Sequence, residues 1–127
     1  MSEVLVVKGL DVRIINQLDE EYISLTDMLR GKDSGFFISD WLRNRNTLEY
    51  IGIWESVHNP NFNYGEFAII KNMSGLNNFK ISVKELVNRT NAISIVSKAG
   101  RYGGTYAHKD IAFEFGMWIS PEFKIYL

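Results

Sequence analysis

The 127-residue chain contains no cysteine, so no disulfide framework, thiolate metal site or thiol nucleophile can be built from it, and zinc fingers are excluded. A reducing compartment fits that composition, and the cytoplasm is the expected location. No window approaches the roughly 20 consecutive apolar residues of a membrane-spanning helix. The N-terminal MSEVLVVKGL also lacks the basic lead and long apolar run of a signal peptide, so no membrane partner is expected. No serine stands in a GxSxG elbow, and no internal repeat or low-complexity segment occurs. The sequence gives no positive reason to expect an enzyme or a cofactor.

What is present is a globular composition, with 46% apolar and 13% aromatic residues. A chain of this length can bury roughly two-thirds of the surface that its unfolded form exposes. The net charge of −1 hides an uneven distribution. Residues 1–35 carry −3, residues 36–109 carry +4 and residues 110–127 carry −2. A polyanion responds to the local patch more than to the total, so the central excess of bases is the feature to follow.

VLVVK and DVRIIN around Gly9 alternate as two strands joined by a tight turn. Tyr22 to Ser24 predicts a short strand, followed by a helix of about two turns that Ser24 or Thr26 caps. Leu25, Met28 and Leu29 lie at helical spacing. Ser39 and Thr47 are the expected caps of two further helices, the second ended by Asn59-Pro60. Trp41, Leu42, Leu48, Ile51 and Trp54 mark their inward side, and the donor-rich stretch Arg43, Asn44, Arg45, Asn46 falls at their junction. Residues 60–78 suggest a short helix within a long loop. Ser82 and Glu85 form a capping box that opens another helix. ISIVSK and TYA read as strands on either side of AGRYGG, and KDIAFEFGMWIS as an apolar helix. Ser120 with Pro121 starts a last helix.

The stretch GRYGGTYAH at residues 100–108 raises three readings: a phosphate cradle, a plain hairpin turn, or a hairpin tip that touches nucleic acid. A phosphate-binding loop needs a Lys-Ser/Thr pair and a following helix. This stretch has no such pair and leads into a strand. His108, Asp110 and Glu114 suggest a metal site, but an acid at a helix start serves the dipole as readily, and none is expected. A hairpin tip kept slim by glycine would let Lys98, Arg101 and Tyr102 approach a sugar-phosphate surface. Arg43 and Arg45 then form a second cationic element, with Asn44 and Asn46 as hydrogen-bonding groups for phosphates or base edges.

The run RYGGTYAHKDIAFEFGMWISPEFKIYL, together with YISLTDM and WLRNRNTLEYIGIWESVHNPNF, resembles the KilA-N domain of bacteriophage, prophage and large DNA virus proteins, a family related to the fungal APSES DNA-binding domain. The resemblance covers essentially the whole chain. It implies an α+β fold: a single winged-helix-like domain over residues 1–127, with an N-terminal β-hairpin, several helices and a C-terminal β-hairpin wing. It also implies DNA as partner, in the cytoplasm or nucleoid of a bacterial host. The APSES pattern places Lys98, Arg101 and Tyr102 on the wing and Arg43, Asn44, Arg45, Asn46 and Thr47 near DNA. Lys80, Lys84 and Arg89, further candidates for DNA contact, fall in the stretch 59–91 that the APSES scheme lacks. The natural chain is expected to continue past Leu127, with a homodimer or a fused C-terminal domain strengthening binding. Thr105, Tyr106, Ile111, Ala112, Phe115, Trp118 and Ile119 are expected in the core, with Thr26 and Asp27 as a cap and a first-turn acid. The alternative function is a protein-protein adaptor that docks through exposed aromatics at Trp54, Phe62 and Tyr64.

Overall fold

Strict alternation in β2 (Leu10–Gln17) buries Val12 and Ile14 and leaves Arg13 between them on the opposite face. In the computed structural model, which describes residues 3–7, 10–30, 32–101 and 103–119, this strand stands between β1 (Glu3–Val7) and β3 (Glu20–Ser24). Both pairings are antiparallel. Gly9, Ser120 and Pro121 lie outside the described residues. The β2–β3 connection is the two-residue turn Leu18-Asp19, with φ of 55° and 61°. Two left-handed residues in succession match the twist of the flanking strands.

The sheet has the order β1-β2-β3-β5-β4, with β4 at Ile95–Lys98 and β5 at Gly104–His108. Register places Val12, Ile14, Ile23 and Ala107 on one face. Arg13, Tyr22, Ser24, Tyr106 and His108 share the other. The chain divides into two compact units, Met1–Ser34 with Ser97–Leu127, and Gly35–Val96. The architecture is α+β, as expected.

In the first unit, α1 (Leu25–Met28) is a single turn instead of the two expected. Ser24 caps it by accepting the Asp27 N–H at 3.1 Å. Leu29 already serves as its C-cap and Arg30 turns left-handed at φ 54°, which ends the helix. Leu25, Met28 and Leu29 are buried, as their spacing predicts. In α6 (Lys109–Ile119), Ile111, Ala112 and Phe115 are buried. Trp118 departs from expectation: it is 37% exposed, and Thr105 and Ile119 are only half-buried.

The second unit is helical up to the start of β4. α2 (Ser34–Leu42) begins five residues before Ser39, which is therefore not its cap. The earlier start brings Ile38 into line with Trp41 and Leu42 as the buried face, and the Ser39 hydroxyl donates to the Ile81 carbonyl at 3.0 Å. α3 (Arg45–His58) starts at Arg45, so Thr47 lies inside its first turn and does not cap it. Leu48, Ile51 and Trp54 face inward, and Asn59 ends the helix ahead of Pro60. The short helix expected within 60–78 is a regular ten-residue one, α4 (Tyr64–Met73), capped by Asn63. It buries Phe67 and Ile70. α5 (Val83–Thr90) is capped by Ser82, whose Oγ accepts the Glu85 N–H at 3.1 Å. Asn91, with φ of 60°, closes α5 in the left-handed conformation.

Candidate nucleic-acid interface

The donor-rich stretch 43–47 makes the corner between two helices. Leu42 ends α2, Arg43 and Asn44 form the turn, and Arg45, Asn46 and Thr47 make the first turn of α3. Asn44 occupies the N-cap position, yet its amide serves the preceding helix. Its Nδ2 donates to the carbonyls of Asp40 and Trp41 at 3.3 and 3.2 Å. No side chain caps α3 and no acid lies in its first turn. This sets α3 apart from α1, α4 and α5, whose N-caps each accept a backbone N–H. Unsatisfied amides and the helix dipole make such an end partly positive. Arg45 and Asn46 are exposed, Thr47 is half-buried, and the Arg43 Nη2 donates to the Asn77 carbonyl at 3.2 Å. Arg45 makes no side-chain hydrogen bond or ion pair among the described residues.

The candidates on α5 differ from one another. Lys84 is exposed at its start, as is Lys80 just before it. Arg89 is held by two carboxylates: Nε donates to Glu66 Oε1 at 2.9 Å and Nη1 to Glu85 Oε2 at 3.4 Å. The hydrogen bond to Glu66 raises the Arg89 pKa further. Glu85 thus turns toward Arg89.

In the other unit, Lys98 is exposed at the end of β4, and Arg101 is exposed within the loop Ala99–Gly103. Tyr102 lies outside the described residues. The Gly103 N–H donates to the Gly100 carbonyl at 3.0 Å and closes a tight turn that includes Arg101. A Cβ at Gly103 would run into the Lys98 carbonyl. Gly104, at φ +132°, sits over Thr26, and a Cβ there would come within 2.8 Å of Thr26 Oγ1. The glycines are what allow the loop to double back tightly.

Sequence reasoning missed the residue beneath this loop, Arg13. Asp27 Oδ2 accepts its backbone N–H at 2.9 Å and its Nε at 2.8 Å, and Oδ1 accepts Nη2 at 3.0 Å. The same Nη2 reaches the Gly103 carbonyl at 3.4 Å, and the guanidinium lies 5.8 Å from the centre of the Tyr106 ring. Partial burial pushes the Asp27 carboxyl up, but the hydrogen bonds from Arg13 outweigh it and leave the group below its ordinary range. Those bonds in turn raise the Arg13 guanidinium. A charged residue alternating with Val12 and Ile14 in a strand was the available signal. Glu55 was also missed; it has no exposed surface and accepts the backbone N–H groups of Ile93 and Ser94.

Two sequence readings meet the structure differently. His108 ends β5 and its Nδ1 accepts the Asp110 N–H at 3.1 Å, so it caps the start of α6. No group of His, Asp and Glu side chains suited to a metal ion occurs among the described residues. The aromatic docking surface fails at its premise: Trp54 and Phe62 are buried, and only Tyr64, 51% exposed, faces solvent. Phe62 packs instead against Phe67, with ring centroids 5.1 Å apart, and Trp54 stacks on His58.

No helix among the described residues is long and apolar enough to cross a membrane. No solved structure matches the chain. A 43-residue stretch, 34% of the chain, is 46% identical to Protein kilA of Escherichia phage P1, where it spans 16% of that protein. The KilA-N domain matches residues 8–127, nearly the full length. The chain belongs to the KilA-N domain family.

Proposed function

We propose that this domain binds double-stranded DNA, chiefly through phosphates, with base readout from residues 43–47. The observation that carries the reading is the first turn of α3, where uncapped backbone donors, the exposed Arg45 and Asn46, and the absence of any acid coincide. Backbone N–H groups and a cation at a helix start are suited to a phosphate oxygen. Membership in a DNA-binding-type family of phage proteins supports the same reading. Lys98, Arg101 and Tyr102 form the second DNA-contacting element, and Lys80 and Lys84 add positive charge on the α3 unit. Arg89 contributes least, because Glu66 and Glu85 neutralise it. The domain works within a phage or prophage regulatory protein in the host cytoplasm or nucleoid, without catalysis. A second copy or a fused domain adds avidity to a module of modest affinity.

Titration of a labelled mixed-sequence duplex at low and near-physiological salt tests this. Three phosphate contacts give a loss of affinity on the order of 40-fold between about 50 and 200 mM salt. A folded protein that forms no complex at the lower salt overturns the proposal.

A further inference from the structure

We infer that Thr26, Asp27 and Arg13 are positioning residues that fix the loop carrying Arg101, an inference that rests on the DNA-binding reading. The loop's return arm is gripped on both sides of Gly104. On one side, Thr26 Oγ1 accepts the Thr105 N–H at 3.0 Å. On the other, Arg13 Nη2 donates to the Gly103 carbonyl while Asp27 holds the guanidinium by Nε and Nη2. Thr26 and Asp27 are neighbours on the single-turn α1, which Ser24 caps through the Asp27 N–H. One helical turn therefore supplies both anchors.

The grip is tight as well as double. Gly104 lies against the Thr26 side chain with no room for a Cβ, so a shift of Thr26 is felt directly at the loop base. From Gly103 the constraint passes through its N–H to Gly100, across the turn that contains Arg101. None of the three positioning residues needs to touch DNA. Their role is to limit the arrangements open to a cation at the tip, which reduces the ordering cost of a phosphate contact.

Thr26→Val keeps the side-chain volume and branching but removes the oxygen that accepts from Thr105. Hydrogen exchange of the Thr105 amide, followed without DNA, is expected to speed up at least roughly tenfold once its protecting bond is lost. Duplex affinity is expected to fall roughly threefold to tenfold, and Thr26→Val is expected to cost nothing further in an Arg101→Ala background, as coupled residues behave. Thr26→Ser, which keeps the hydroxyl, should restore both Thr105 protection and affinity. Asp27→Asn provides a second probe through the Arg13 arm if Thr26→Val does not fold, with the same dependence on Arg101 expected. Faster exchange with unchanged affinity, or losses that add to that of Arg101→Ala, would overturn the inference. If the wild type binds no duplex, the DNA reading fails, while the Thr105 exchange rate still reports on the clamp.

Discussion

The backbone N–H of Ser94 donates to Glu55 Oε2 at 2.8 Å, and Glu55 has no exposed surface. Ile93 N–H reaches both carboxyl oxygens, and Asn59 Nδ2 donates to Oε1 at 2.8 Å. One side chain near the end of α3 thus satisfies the segment that leads into β4. Glu55→Ala would leave the buried Ser94 N–H without its acceptor and strip Asn59 Nδ2 of one of its two acceptors, at a cost on the order of 3 kcal/mol. Urea denaturation checks this: the midpoint should drop with the slope unchanged. A loss below about 1 kcal/mol would show that water replaces the carboxyl group.

Gly104 and Gly100 both have positive φ, at +132° and +102°, but only Gly104 has a neighbour in the way of a Cβ. Gly104→Ala should therefore destabilise by more than Gly100→Ala, which carries only backbone strain of about 1 kcal/mol or somewhat more. Thermal unfolding of the two variants side by side decides the order.

Asp27 titrates below its ordinary value because hydrogen bonds from Arg13 outweigh the effect of burial. A carboxyl depressed by folding adds stability that is fully present above its unfolded pKa and is lost as pH falls through the folded value. The stability difference between wild type and Asp27→Asn should thus be constant at neutral pH and shrink below about pH 4. Denaturation midpoints of the pair across pH 7 to 2 test the sign; a gap that widens toward acid contradicts it.

Asn46→Asp places an acid in the first turn of α3, where there is none. The helix should gain about 0.3 to 1 kcal/mol from the dipole, while duplex affinity falls. Opposite signs in melting temperature and binding distinguish a functional surface from a structural one.

Much of the fold was legible because its signals are local. Alternation in DVRIIN, the Ser82 cap and the apolar spacing of KDIAFEF each decide their own element. The two expected caps lie inside their helices. Ser39 is drawn into α2 because Ile38 joins the buried face, and Thr47 sits in the first turn of α3, which starts at Arg45. Arg13 carried only a weak local signal, its charge within an apolar alternation, and neither its partner Asp27, 14 positions on, nor the Ile93 and Ser94 amides held by Glu55, 38 and 39 positions on, could be read from the sequence. The cations of the candidate interface were visible as residue types. The sequence did not reveal that α3 begins without a cap, nor that Arg89 is engaged by two carboxylates.

The most direct test is the slope of log affinity against log salt for wild type and Arg45→Ala on one mixed-sequence duplex. A lost phosphate contact should lower affinity for all sequences alike and reduce the slope by about one. Identical slopes and affinities, in a variant with unchanged melting temperature, would contradict placing DNA at the first turn of α3.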